Sequence, residues 1–202
     1  IGTGLVGSEM CIRDSNCIFW DGDDLIGDNT DGAGFVNALK LQLKEPLNKK
    51  AIAIIGAGGA ARSIINSLGD NPVKEIVVVN RSNPKAEKAA YLGGPNARVG
   101  SYADLADCDI VVNSTPLGMA GTSEEAMLPV PVEFLSAKQT VIDLVYNPIE
   151  TELLRQAKGL GAKTFSGLGM LIHQALLQFL LWTGLNTSIE GIENVVSDTI
   201  GR

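Results

Sequence analysis

The sequence predicts an α/β fold in which a doubly wound parallel sheet carries helices on both faces, and three observations carry that prediction. Short runs dominated by apolar residues recur at Ala51–Ile55, Ile76–Val79, Ile110–Asn113 and Thr140–Leu144. Runs without polar alternation suit strands buried on both faces, the condition of a parallel sheet between helical layers. These runs alternate with segments of helical periodicity. The link after the first run, Gly56-Ala57-Gly58-Gly59, is a glycine-rich passage from strand to helix.

The elements follow in chain order. Ile1–Ser15 has no clear period. Cys17–Trp20 and Leu25-Ile26 read as two strands joined by a turn at Asp21-Gly22. Asp31-Gly32 opens a helix with Phe35, Val36, Leu39 and Leu43 at helical spacing, capped by Thr30 or Asp31. After Pro46 comes the strand Ala51–Ile55, then a helix over Ala60–Leu68, a strand at Ile76–Val79 and a helix over Ala86–Tyr91. A short strand near Val99 and a fourth at Ile110–Asn113 precede a loop rich in Gly and Pro. Thr140–Leu144 is the fifth strand, Glu150–Leu160 a helix, Lys163–Phe165 the sixth strand and Leu168–Leu181 a long apolar helix. Leu171, Ile172, Leu176 and Leu180 read as core, and Asn194–Ile200 as a last helix.

Composition narrows the function. The 202 residues suffice for one domain and part of a second. A net charge of -7 speaks against nucleic acid, which needs a basic surface. The three cysteines, Cys11, Cys17 and Cys108, are odd in number and widely spaced, which fits a reducing compartment. His173 is the single histidine, so no multi-histidine metal site is expected. The most apolar stretch, Ala175–Leu181, is too short for a membrane span and is broken by Gln178. Ile1–Ser15 lacks the basic start and apolar middle of a signal peptide. A cytoplasmic protein is expected. A monomer and a homodimer are both compatible with the sequence.

The glycine passage carries the first chemical signal. Gly56, Gly58 and Ala61 fit G-x-G-x-x-A, the Rossmann-like turn that lets a backbone approach a pyrophosphate at a helix N-terminus. Its place after an apolar strand gives the pattern weight. The second strand ends Val79-Asn80-Arg81-Ser82, with Lys85 nearby, where NAD-binding proteins usually place a carboxylate. Arg81 can instead pair with a 2′-phosphate and stack on adenine. NADP(H) is therefore expected over NAD.

Several segments together resemble one family. Gly27-Asp28-Asn29-Thr30-Asp31-Gly32, Gly56-Ala57-Gly58-Gly59-Ala60 and Asn80-Arg81-Ser82 are similar to segments of shikimate dehydrogenases. So are Asn113-Ser114-Thr115-Pro116-Leu117-Gly118-Met119, Asp143-Leu144-Val145-Tyr146-Asn147-Pro148 and the run from Gly167 to Ala175. The resemblance runs from about Asn16 to the C-terminus. It implies NADPH-dependent reduction of 3-dehydroshikimate to shikimate, in the cleft between an N-terminal α/β substrate domain and a cofactor domain. It implies that Asp31 binds substrate hydroxyls and partners a catalytic lysine, and that Asn16, Tyr146 and Gln174 contact substrate. It places Gly56, Ala57, Gly58, Gly59, Ala60, Asn80, Arg81, Ser82, Lys85, Leu144 and Gly167 around the cofactor. Residues 16–32 are then a remnant of the substrate domain and 33–166 the NADP-binding domain. Residues 167–202 are helices returning toward the substrate domain.

Residues 1–15 depart from the family and contain no lysine, so they are expected to be foreign sequence joined near Ser15. Lys40 and Lys44 lie past the Asp31 end of their helix, and Lys49 and Lys50 precede the first sheet strand. The chain alone is therefore expected to be nearly inactive. With the substrate domain missing, Leu171, Leu177 or Trp182 is expected to form an exposed apolar patch. A quinate dehydrogenase and a non-catalytic NADP-binding module are the alternatives.

Overall fold

A computed structural model describes residues 14–192 together with Val195, Val196 and Thr199. Strands β1 (Cys17–Asp21) and β2 (Asp24–Asp28) form an antiparallel hairpin that pairs with no other strand among the described residues. Helix α1 (Asp31–Leu43) leads into β3 (Ala51–Ile55), α2 (Gly59–Gly69), β4 (Glu75–Val79), α3 (Asn83–Leu92) and β5 (Ala97–Val99). Then follow β6 (Ile110–Asn113), β7 (Thr140–Asp143), α4 (Glu152–Gly159), β8 (Lys163–Ser166) and α5 (Leu168–Thr183). The six strands from β3 onward make one parallel sheet in the order β5-β4-β3-β6-β7-β8. Counted within the sheet this is 3-2-1-4-5-6, the order whose reversal beside β3 opens a crevice at the strands' carboxyl ends.

The buried runs explain both faces. Ile52, Ile54, Ile76, Val78, Ile110, Val112 and Ile142 point to one side, against Phe35 and Leu39 of α1, Ile64, Ile65 and Leu68 of α2 and the alanines of α3. Alternate residues Ala53, Ile55, Val77, Val79, Val111 and Val141 point to the other. There they meet Leu153, Leu154 and Ala157 of α4, with Leu105, Val130 and Leu135 from the connections. Among the described residues, one face thus has three helices. The other has one helix plus 3-10 turns at Tyr102–Asp107 and Val132–Phe134, because β6 reaches β7 through a long loop instead of a helix.

Differences from the sequence reading have local causes. Of the two expected caps of α1, Thr30 is the N-cap residue, by position only. Thr30 holds the cap position without a side-chain cap bond, and its hydroxyl turns toward Asn16 and Gln174. Helix α3 starts at Asn83, since Pro84 is tolerated in a first turn. Helix α4 starts only at Glu152, because the Thr151 hydroxyl accepts from the Leu154 N–H and sets the cap there. In α5 only Gly169 and Ile172 are buried, so Leu171, Leu176 and Leu180 are not core. That helix packs chiefly on α1 and touches β1, leaving its other sides uncovered. Phe179, Leu180 and Trp182 are exposed, while Leu171 and Leu177 are half-buried. The helix expected over 194–200 falls mostly outside the described residues, as do residues 1–13.

Helices α1 and α5 cross closely at a glycine. A Cβ on Gly34 would lie 2.7 Å from the backbone nitrogen of Gln174. The hairpin is tied to the far end of α5 by the Trp182 indole N–H, which donates to the Ile18 carbonyl at 3.1 Å. No helix of the described residues is long and apolar enough to cross a membrane. Cys17 and Cys108 are free thiols, both buried.

Candidate active site

The turn after β3 builds the floor of a groove. Gly56 has φ +116, a conformation that only glycine adopts readily, and a Cβ there would stand 2.5 Å from Ser114 Oγ. Its N–H donates to Val79 O at 2.8 Å, which locks the turn to the neighbouring strand. Gly58 has nothing within 4 Å of an added Cβ, so its backbone is bare toward the groove. Ala61 is fully buried, and its small side chain brings α2 close to the sheet. The first N–H groups of α2 have no partner within the helix and lie at its positive end.

The groove has two compartments. The narrower, about 250 Å³, is lined by Gly56–Gly58, Val79, Asn80, Arg81, Tyr102, Ser114–Leu117, Glu124 and Pro129. Asn80 donates to the Ser82 carbonyl at 3.0 Å, which shapes the strand end beneath Arg81. Tyr102 stacks on Phe134 and donates to the Pro129 carbonyl at 3.0 Å. The wider compartment, about 520 Å³, shares Gly58 and Ser114–Pro116 with the first. It adds Gly59, Ala60, Met119, Ala120 and Leu144–Asn147.

Beneath the wider compartment lies a buried polar network. Asn113 ends β6 and Asp143 ends β7, and the two are register partners. Asn113 Nδ2 donates to Asp143 Oδ1 at 2.8 Å and to the Leu117 carbonyl at 3.3 Å. Asn113 Oδ1 accepts from the Thr115 N–H at 2.9 Å and the Thr115 hydroxyl at 2.7 Å. Asp143 Oδ1 also takes the Val145 N–H at 3.1 Å, and Oδ2 takes the Thr151 hydroxyl at 2.6 Å. Asn113, Asp143 and Thr151 are all 0% exposed. Burial pushes the Asp143 carboxyl up to about 6, against the pull of its three donors.

A second polar cluster joins the hairpin, α1 and α5. Asn16 Nδ2 donates to Asp31 Oδ1 at 2.7 Å and to Gln174 Oε1 at 3.3 Å. Asn16 Oδ1 accepts from the Thr30 N–H at 3.0 Å. Gln178 Nε2 donates to Gln174 Oε1 at 2.6 Å and to Thr30 Oγ1 at 3.3 Å. Burial raises the Asp31 carboxyl above its ordinary range, partly opposed by the Asn16 bond. Asn29 connects this cluster to the glycine turn. It accepts from the Ser63 hydroxyl of α2 at 2.6 Å and from the Asp31 N–H at 2.9 Å. Asp14, whose carbonyl accepts from Asn29, pairs with Arg62 of α2 at 3.2 Å.

The chain that carries this groove and this cluster is similar to known proteins. Residues 38–151 match the family model described as shikimate / quinate 5-dehydrogenase, and residues 167–196 match the shikimate 5′-dehydrogenase C-terminal domain. The chain belongs to the shikimate/quinate dehydrogenase family. It is 40% identical over 192 residues to the NADP(+) shikimate dehydrogenase of Bacillus licheniformis, covering 92% of this chain and 68% of that one. The structure of shikimate 5-dehydrogenase from Thermus thermophilus, in complex with NADP(H) and shikimate, is similar with a TM-score of 0.81. The two are 32% identical, with 95% of this chain and 71% of that one covered. Quinate dehydrogenase from Corynebacterium glutamicum, in complex with NAD, has a TM-score of 0.78 and 29% identity, over 90% of this chain and 66% of that one. The chain thus spans about two thirds of the length of these relatives.

Within this dehydrogenase family member, the expected residues fall into two groups. Gly56–Ala60, Asn80, Arg81, Leu144 and Tyr146 line the groove, whereas Asn16, Asp31 and Gln174 form the hydrogen-bonded cluster. Ser82 sits at the cap of α3, and Lys85 is exposed in its first turn. Gly167 does not line the groove; a Cβ there would collide with the Leu144 carbonyl, so it presses on the back of the groove wall. Sequence reasoning gave no role to Gln178, Ser63, Arg62, Tyr102 or Thr151. For Gln178 the signal was available, as a polar residue one helical turn from Gln174 on an apolar helix. Among the described residues, no group of three or more His, Cys, Asp or Glu side chains is placed to hold a metal ion.

Proposed function

We propose that this chain is the cofactor-binding part of a cytoplasmic dehydrogenase that reduces 3-dehydroshikimate to shikimate with NADPH, on the route to chorismate and the aromatic amino acids. The observation that carries the reading is Arg81 on the rim of the glycine-floored groove, at a strand end that bears no carboxylate. A guanidinium there pairs with a 2′-phosphate through charge-assisted bonds, where a carboxylate would repel it. The names of the relatives support NADP, and the Thermus thermophilus complex supports shikimate. Arg81 also favours this reading over an NAD-linked quinate dehydrogenase.

The residues fit the cofactor. Gly58 leaves the backbone bare where a pyrophosphate would approach the helix N-terminus, and a Cβ on Gly59 would meet only Asp14 Oδ1, at 3.9 Å. Asn80, Arg81, Ser82 and Lys85 would hold the phosphorylated adenosine and Leu144 the opposite end, with Tyr146 on the substrate. When bound, NADPH supplies the hydride. Asn16, Asp31 and Gln174 orient the hydroxylated ring, with the Asp31 carboxylate accepting a substrate hydroxyl. A ketone gaining hydride needs a proton at its oxygen, and the family's donor is a lysine paired with this aspartate. Among the described residues, the causes of the Asp31 shift are burial and the Asn16 bond, with no lysine beside them, and loss of a general acid costs about 10²–10⁴ in rate. The chain alone is therefore proposed to turn over slowly. Residues 16–32 and 167–202 form the substrate side and 33–166 the cofactor side.

Titration of the purified chain with NADPH and NADH, read by cofactor fluorescence, tests the reading. NADPH should saturate and bind more tightly than NADH. Arg81→Ala should weaken NADPH roughly 10–100-fold and leave NADH unchanged. Equal binding of the two cofactors would overturn the NADP assignment, and binding of neither would overturn the cofactor site.

A further inference from the structure

Asp143 is a fully buried carboxylate held by neutral groups. Its recorded donors are the Asn113 amide, the Val145 N–H and the Thr151 hydroxyl. Burying such a group is costly, and an amide or an apolar side chain could fill the same volume. What the carboxylate adds is acceptance from two directions. Oδ1 takes donors from both connections, since Asn113 governs the loop after β6 and Val145 belongs to the loop after β7. Oδ2 takes Thr151, which also caps α4. Asn113 relays the constraint to Thr115 and Leu117. The loops so held, Ser114–Ala120 and Leu144–Asn147, supply most of the lining of the wider compartment. The narrower compartment shares Ser114–Pro116 with it and adds Leu117, but its adenosine end is formed by Asn80 and Arg81 beyond the end of β4, outside this network.

We infer that Asp143 is a positioning residue. With Asn113 and Thr151 it fixes the distance between the two walls of the wider compartment, and so controls how that compartment receives the end of the dinucleotide remote from Arg81. This rests on the NADP reading above. The side chains of the network do not line the groove; they act through Thr115, Leu117 and the backbone of Val145.

The test compares two ligands on the same chain. NADPH fills both compartments, whereas 2′,5′-ADP carries only the adenosine end. Thr151→Val, which removes the hydroxyl from Oδ2, should weaken NADPH roughly tenfold while 2′,5′-ADP binds as before. Thr151→Ser, which keeps the hydroxyl, should restore NADPH binding. If Thr151→Val does not fold, Asp143→Asn makes the same comparison, because it places an amide donor where Oδ2 accepted. Parallel loss of both ligands would mean a merely structural role and would overturn the inference, as would no loss of either. A parent chain that binds neither ligand would instead sink the NADP reading itself. A parent that binds both, with variants that fall in parallel, would sink only this inference.

Discussion

Asp143 and Asp31 carry the same kind of perturbation for the same cause. Burial disfavours the charged carboxylate in each, and hydrogen bonds only partly offset it. For Asp143 the consequence is a dependence of stability on pH. Its native value, about 6, lies above the ordinary 3.8, so the folded chain holds this proton more tightly than the unfolded chain. The stabilisation is complete below the unfolded value and is lost as the pH rises through the folded one, on the order of 3 kcal/mol in all. Thermal unfolding of the parent and of Asp143→Asn, compared at about pH 4 and about pH 7, should show the parent losing more stability on the way up. Identical slopes would mean that Asp143 does not titrate in that window. The residues of the groove were legible in the sequence where their type is unusual for its place, as with Arg81 at a strand end normally held by a carboxylate. Asn113, Asp143 and Thr151 look like ordinary strand-end and turn residues. They become a network only once β6 and β7 lie side by side in register, which no local pattern encodes.

Among the elements, the buried strands were readable to within a residue or two, because a fully apolar run of about five residues has few other uses. The helix boundaries moved with single residues, namely Pro84 in the first turn of α3 and Thr151 capping α4. The face of α5 was not readable. Its few polar residues mislead, because Gln174 and Gln178 turn toward Asn16 and Thr30 and not toward solvent, and its contacts are set by α1. What fixes that pairing is the glycine at the crossing. Gly34→Ala would set a methyl group 2.7 Å from the Gln174 backbone and must push the helices apart. Overpacking of this kind costs about 1–3 kcal/mol, so the urea midpoint should fall, and the Asn16–Gln174 contact should loosen with it. An unchanged midpoint would show that the crossing has room to spare.

At the scale of the whole molecule, the strand reversal beside β3 puts the groove at the carboxyl edge of the sheet, between the loops after β3, β4, β6 and β7. The fold class and this crevice followed from the alternation of elements and the glycine turn. The uneven covering of the two sheet faces did not, because a connection of 3-10 turns and loop carries no periodicity to read. The hairpin stands outside the sheet and is held by the Asn16 cluster at one end and the Trp182 bond at the other. That bond has an optical consequence. The chain has two tryptophans, Trp20 on the hairpin and Trp182 at the end of α5, and neither belongs to the sheet core or lines the groove. Indole emission therefore watches one joint of the molecule, the docking of the hairpin on α5, while far-ultraviolet dichroism watches the sheet and its helices. A hairpin that swings away would break the indole N–H bond of Trp182 and change the emission while leaving the dichroism almost untouched, so the two signals separate loss of the substrate-side cluster from unfolding of the groove.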